Sequence, residues 1–311
     1  MLVTLKKVLA KADKSGYAVG AFNVNNLEIV QAVIESAVEM KSPVILQTSE
    51  GAIEYAGMDY LIAMIRVAAK APVPVVMHLD HGKDLKLIKK AIDMGYTSVM
   101  FDGSTLPFAK NVATTKKVVA WARAKGVSVE AEIGAIKGVE DLVSVSEKEA
   151  FYTDPSEAAR FAKITKCDAL AISIGTAHGA HKSKTSAELD IARLKKIDAL
   201  VKVPLVLHGA SGISPELVAK TKNYCSSLED CNRLEGANGI SDAQITAAIK
   251  SGIRKINIDS DLRIAFTAGL RETLVTDHKA IDPRKMLALS KKLMKEVVRH
   301  KMELFGSAGK A

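Results

Sequence analysis

The chain has 311 residues, 48% of them hydrophobic and 25% charged, with a formal net charge of +9. No apolar run reaches the ~18 residues of a membrane span. Aromatic residues make up only 5%, which leaves little to stack nucleic-acid bases, and three cysteines without a CxxC pair argue against a disulfide scaffold or a zinc knuckle.

In chain order, residues 1–20 disperse lysines among apolar residues at helical spacing and lack a signal-peptide core and cleavage site. They predict a first helix and a cytoplasmic protein. Short β-rich runs then alternate with longer amphipathic segments. Strands are expected near 18–23, 44–48, 75–80, 98–101, 128–132, 169–174, 205–208 and 255–258, with helices over, for example, 27–39, 84–93, 111–124 and 155–164. This alternation argues for a parallel sheet with helical crossovers. Eight such strands predict an α/β fold, a TIM (β/α)8 barrel occupying 1–311 as a single domain. The alternative is a doubly wound open sheet, but no GxGxxG follows the first strand.

The polar residues favour closure. Each run stays apolar until its C-terminal end, where Asn23, Gln47 with Ser49, Asp80 with His81, Asp102, Glu132, His178, His208, and Asn257 with Asp259 appear. Parallel barrels build their sites at that one face, whereas an open sheet needs such endings only near its switch point. Two connections are long. Residues 134–153 read as a mobile active-site loop. Residues 223–239, which carry Cys225 and Cys231, read as a surface excursion with no role assigned to either thiol. Cys167, in a helix-to-strand connection, reads as a small buried hydrophobe. Residues 283–304 read as one basic amphipathic helix that packs on the core or forms an oligomer contact. Lysine pairs such as Lys89-Lys90 and Lys291-Lys292 make the net charge a solvated surface, one that helps gather an anionic substrate.

Three segments carry chemistry. His78-Leu79-Asp80-His81-Gly82 ends the third strand; His178 and His208 follow the sixth and seventh, each beside small residues. Three histidines leave a tetrahedral Zn2+ with an open position for substrate. The alternative is a set of hydrogen-bonded core histidines, which suits His78 better than ligation does. Glu130 and Glu132 lie two apart on one strand face, an arrangement that demands a metal, lysine or arginine nearby. Gly179, Gly209 and Ser211 let backbone N–H groups approach a phosphate after strands seven and eight.

Together these segments resemble the class II, zinc-dependent fructose-1,6-bisphosphate aldolases. The resemblance spans essentially the whole chain, through Gly20-Ala21-Phe22-Asn23, Gln47-Thr48-Ser49-Glu50-Gly51-Ala52, the His78–Gly82 run, Glu130-Ala131-Glu132, Gly175-Thr176-Ala177-His178-Gly179, His208-Gly209-Ala210-Ser211-Gly212 and Asn257-Ile258-Asp259-Ser260-Asp261-Leu262-Arg263. It implies Zn2+ on His81, His178 and His208, with Glu132 an alternate ligand. It implies that Asp80 exchanges the C4 hydroxyl proton, that Glu140 transfers a proton at the dihydroxyacetone phosphate carbon, and that Asn257 contacts the enediolate. Gly179, Lys182, Gly209, Ser211, Asp259 and Ser260 would surround the C1 phosphate, with Asn23 also among the substrate-binding residues. Ser49 and Arg263 would position the other end of the sugar, and Arg284 would reach a neighbouring subunit's C6 phosphate in a homodimer or homotetramer. A monovalent cation, Na+ or K+, near the Gly179 and Gly209 carbonyls is a further family feature. No nucleic-acid or membrane partner is expected. Tagatose-1,6-bisphosphate aldolases share the histidines and Asp80; the long 223–239 insertion and Asp261-Leu262-Arg263 favour fructose. A non-catalytic anion binder, suggested by the net charge, would have no need of Asp80 or Glu140.

Overall fold

The computed structural model describes residues 1–134, 137–140, 143–145, 152–178, 188–212, 214–224 and 239–311, with only the backbone described at 137–140, 143–145, 177 and 178. Its strands are β1 (Val19–Asn23), β2 (Val44–Ser49), β3 (Val75–Gly82), β4 (Ser98–Phe101), β5 (Ser128–Ile133), β6 (Lys137–Glu140), β7 (Val143–Val145), β8 (Ala169–Ile172), β9 (Ala177–His178), β10 (Leu205–Leu207) and β11 (Ile253–Ile258). Its helices are α1 (Leu5–Ser15), α2 (Leu27–Glu39), α3 (Glu50–Ala56), α4 (Met58–Ala68), α5 (Leu85–Asp93), α6 (Phe108–Arg123), α7 (Pro155–Thr165), α8 (Ile191–Leu200), α9 (Pro215–Asn223), α10 (Asp242–Lys250), α11 (Ser260–Thr276), α12 (Pro283–Met286) and α13 (Ala288–Leu304).

Eight parallel strands close in the order β1-β11-β10-β8-β5-β4-β3-β2, the (β/α)8 barrel that the alternation predicts. Successive strand residues face opposite sides, and both sides here are apolar. Outward residues such as Leu46, Met77, Leu79, Ile256 and Ile258 join the large core beneath the helices. Inward residues Val19, Ala21, Ile45, Val76, Met100, Ala169, Ala171 and Val206 form a second core, completed by Leu5, Val8 and Leu9 of α1. The first helix therefore plugs the end of the barrel where the strands begin. Thr4 starts it by accepting from Lys7 N, and Lys6 N donates to Ser128 Oγ at the start of β5. Burying that end leaves the opposite mouth as the place where polar side chains can converge.

Two expectations need correction. The C-terminal segment is not one helix: it turns at Leu287 between α12 and α13. Leu287 itself keeps α-helical backbone angles, and just beyond it Ser290 Oγ donates to Phe266 O of α11, 2.7 Å away. The approach is close enough that a Cβ at Gly269 would collide with the Ser290 backbone. Residues 134–153 are also not a plain loop, since they contain the antiparallel pair β6–β7, and β6 runs parallel to β9. Cys167 is buried between α7 and β8 as expected, whereas Cys225 and Cys231 lie outside the described residues. No described helix is long and apolar enough to cross a membrane.

Leu9 of the plug is fully buried. Leu9→Ala is expected to cost about 2–5 kcal/mol of stability, read as a lower urea midpoint with an unchanged slope.

Candidate metal centre and active site

In a regular strand Asp80 and His81 would point to opposite faces. Here β3 slips register against β4 between Leu79 and Gly82, and His81 adopts a left-handed backbone with φ 47°. That conformation costs a non-glycine residue on the order of 1–3 kcal/mol. Gly82 then comes so close to β4 that a Cβ would stand 2.7 Å from Met100 O. As a result, Asp80 and His81 both turn to the barrel mouth.

Asp80 is fully buried in a cradle of amides. Its Oδ2 accepts from Asn23 Nδ2 and Gln47 Nε2, each at 3.1 Å, and its Oδ1 accepts from Asn257 Nδ2, also at 3.1 Å. Gln47 also donates to Asn23 Oδ1 at 2.6 Å, which locks the cradle. A carboxylate has about four lone-pair sites. Three are filled, and the remaining capacity lies on Oδ1.

His81 and His208 meet edge to face, with ring centroids 4.5 Å apart. His81 Nε2 lies 2.7 Å from His208 Nδ1. The outer nitrogen of each ring has a carboxylate partner: Asp102 Oδ2 is 3.0 Å from His81 Nδ1, and Glu130 Oε1 is 2.8 Å from His208 Nε2. If both outer nitrogens carry their protons toward these carboxylates, the inner nitrogens are two lone pairs facing one another, and a cation must lie between them. Among the described residues, Asp80, His81 and His208 offer ligand atoms within 4.8 Å of one another, as do His81, Asp102 and Glu132. Glu132 Oε2 stands 3.7 Å from His81 Nδ1 and 4.0 Å from His208 Nδ1, buried and with no hydrogen-bond partner among the described residues. These donors fit a divalent ion.

The electrostatics agree with this geometry. Burial opposes a charge on His81, but the carboxylates of Asp80, Asp102 and Glu132 outweigh it and push its pKa up to about 10. Burial also works against a charged Asp102, yet hydrogen bonds from His81 and Ser104 hold its carboxyl well below the usual range. Glu132 is held well above the carboxylate range, first by burial and then by its acidic neighbours, Asp102 foremost. His78 is held well below the histidine range by burial and by Lys255. It bonds Ser98 Oγ at 2.8 Å, as its reading as a hydrogen-bonded core residue expects.

The remaining expected residues fall into three groups. Ser211 and Asp259 meet, with Asp259 N donating to Ser211 Oγ at 3.4 Å, and Ser260 opens α11 beside them. Gly209 follows His208 with φ 60°. Ser49 caps α3 by accepting from Ala52 N, and Arg263 Nε donates to Asp259 Oδ1 at 2.9 Å. Arg284 is exposed and forks onto Asp282. Backbone register places His178 beside Gly138, two residues before Glu140. The side chains of His178 and Glu140, together with Gly179 and Lys182, lie outside the described residues.

The sequence reading assigned no task to Gln47 or Asp102, and it missed Lys255 and Ser98. Lys255 was within reach: it is two residues before Asn257 on one strand and so shares its inward face, and the Glu130–Glu132 pair called for a cation.

The model of the family described as fructose-bisphosphate aldolase class-II matches residues 3–310. A fructose-bisphosphate aldolase of Thermus caldophilus is 49% identical over 311 residues, covering 100% of both chains. One of Helicobacter pylori strain J99 is 44% identical over 312 residues, again covering 100% of both. Among solved structures, the YdjI aldolase of Escherichia coli K12 superposes with a TM-score of 0.79 at 33% identity, covering 100% of each chain.

Asp102→Asn removes one carboxylate and keeps the side-chain shape. In metal-free protein the pKa of His81 is expected to fall from about 10, read by NMR titration of its ring. A value that stayed there would assign the shift to Asp80 and Glu132.

Proposed function

The chain belongs to the class-II fructose-bisphosphate aldolase family, and on that premise we propose that His81, His178 and His208 hold one Zn2+, with Glu132 as an alternate ligand. The reaction is the reversible cleavage of fructose 1,6-bisphosphate to dihydroxyacetone phosphate and glyceraldehyde 3-phosphate, and the family is metal-dependent. The observation that carries the metal assignment is the facing pair of imidazole nitrogens, 2.7 Å apart and each backed by a carboxylate.

A divalent ion there supplies Lewis acidity at the C2 carbonyl, so that no Schiff-base lysine is needed. Asp80 takes the C4 hydroxyl proton on Oδ1, the oxygen with accepting capacity left beside Asn257. As that proton leaves, C4 becomes the aldehyde carbon of glyceraldehyde 3-phosphate. The C3–C4 bonding pair stays with C3 and is delocalised toward the C2 oxygen. The amide of Asn257, positioned against Asp80, donates to the oxygens of this enediolate. Glu140, on the strand beside His178, delivers the proton that C3 needs to become dihydroxyacetone phosphate. In the synthetic direction the same two groups exchange roles.

The C1 phosphate sits among Gly179, Lys182, Gly209, Ser211, Asp259 and Ser260, where the N-terminus of α11 favours an anion. A monovalent cation, Na+ or K+, by the Gly179 and Gly209 carbonyls completes this pocket. Asn23, Ser49 and Arg263 orient the sugar. Arg284, exposed at the start of α12, reaches the C6 phosphate of a neighbouring subunit, so the working enzyme is a homodimer or homotetramer. One domain spanning 1–311 houses the site, and the cytoplasm is its compartment.

Asp80→Ala is expected to retain Zn2+ and lose about 10²–10⁴-fold in kcat, whereas His178→Ala loses both. A chelator should abolish cleavage and added Zn2+ restore it; full turnover after complete metal removal would refute the assignment. kcat/KM on fructose against tagatose 1,6-bisphosphate is expected to favour fructose, since specificity is that ratio.

A further inference from the structure

Lys255 takes no part in the mechanism above, yet it is a charged side chain sealed inside the barrel. It projects inward from β11, is fully buried, and crosses the interior to Glu130 on β5. Its Nζ lies 2.9 Å from Glu130 Oε2 and 3.1 Å from Oε1. On the far side of the same carboxylate, Oε1 is 2.8 Å from His208 Nε2, and Oε2 is 3.6 Å from His78 Nε2. None of these side chains is open to water.

We propose that Lys255 is a positioning residue for the metal site, acting through Glu130 to fix which nitrogen of His208 faces the ion. The argument is one of orientation. A neutral imidazole carries its proton on one nitrogen and a lone pair on the other, and the partner of the first decides which is which. A carboxylate oxygen at hydrogen-bond distance is an acceptor, so it draws the proton to Nε2 and leaves the Nδ1 lone pair toward His81. The carboxylate performs this task only if it cannot turn. Lys255 contacts both of its oxygens and pins it in the plane that reaches Nε2. Removing a neighbour that holds a ligand's outer nitrogen typically costs about 10–100-fold in metal affinity. The same contact leaves Lys255 no route to substrate, since Glu130 and His208 stand between it and the mouth. The inference rests on the reading that His208 binds metal.

The test compares wild type, Lys255→Met, Glu130→Gln, and the double variant Lys255→Met/Glu130→Gln, which leaves no lone charge in the interior. Zn2+ affinity is measured by chelator competition, and the His208 tautomer in metal-free, 15N-histidine-labelled protein by NMR. Thermal unfolding of metal-free protein reports folding separately. Wild type is expected to hold His208 as the Nε2–H form. Folded Lys255→Met is expected to bind Zn2+ roughly 10–100-fold more weakly and to lose that single tautomer. A merely structural lysine would lower the unfolding temperature without moving either readout, and wild-type affinity or an unchanged tautomer in a folded variant overturns the proposal. If Lys255→Met does not fold, the double variant is read against Glu130→Gln alone: equal Zn2+ affinity and tautomer are expected when Lys255 acts only through Glu130, and a further loss overturns the proposal; if neither Lys255 variant folds, the lysine is structural and the proposal fails. If wild type itself binds no Zn2+, the metal reading fails instead, and the tautomer measurement still judges Lys255.

Discussion

Two imidazole nitrogens held 2.7 Å apart are the constraint around which the rest of the barrel mouth is arranged. Two lone pairs at that distance repel, so either a ring proton or a metal ion must lie between them. Every neighbouring feature supplies the negative charge or the fixed geometry that makes a cation favourable there. Asp102 and Glu130 hold the outer nitrogens, Glu132 looks on without a partner among the described residues, and Asp80 stands alongside. In the absence of metal a proton on His81 plays the part, and the carboxylates of Asp80, Asp102 and Glu132 favour it there by raising the His81 pKa to about 10. A divalent ion held there, as proposed, would replace that proton and meet the same two nitrogens.

The barrel makes this concentration of charge tolerable by layering. Nearest α1 the interior is apolar, with Val19, Ile45, Val76, Met100 and Val206 packed on the plug. Above that layer lies one of paired charge, in which Lys255 meets Glu130, with a buried His78 beside them bonded to Ser98. Only above that do the functional groups begin. An isolated buried carboxylate costs several kcal/mol, so Glu130 depends on Lys255. The paired layer separates the dry core from the reactive mouth, and it gives the histidine above it a rigid floor.

Much of this was legible in the residues. Period-2 and period-3.6 patterning located all eight barrel strands, and the polar residue at each strand end marked the functional face. Physical reasons set the limits. The break at Leu287 is one residue wide with α-helical backbone angles, so no glycine or proline in the sequence marks it. Gln47 reads as an ordinary strand-end amide, because its value lies in reaching Asn23 and Asp80 on two other strands. The left-handed backbone of His81 is equally invisible: Asp-His-Gly suggests a turn but does not say that the turn brings neighbouring side chains to one face.

That local departure from the strand has a consequence for robustness. The Asp80 carboxylate and the His81 imidazole belong to consecutive residues, so their separation is set by covalent bonds. A pair such as His81 and His208, by contrast, is carried on β3 and just past the end of β10 and depends on how those strands are placed. The Asp80–His81 pair does not. It is inherited as a single dipeptide with its bend, and a deletion or insertion there would part the two groups at once, whereas drift elsewhere in the sheet would leave their spacing intact.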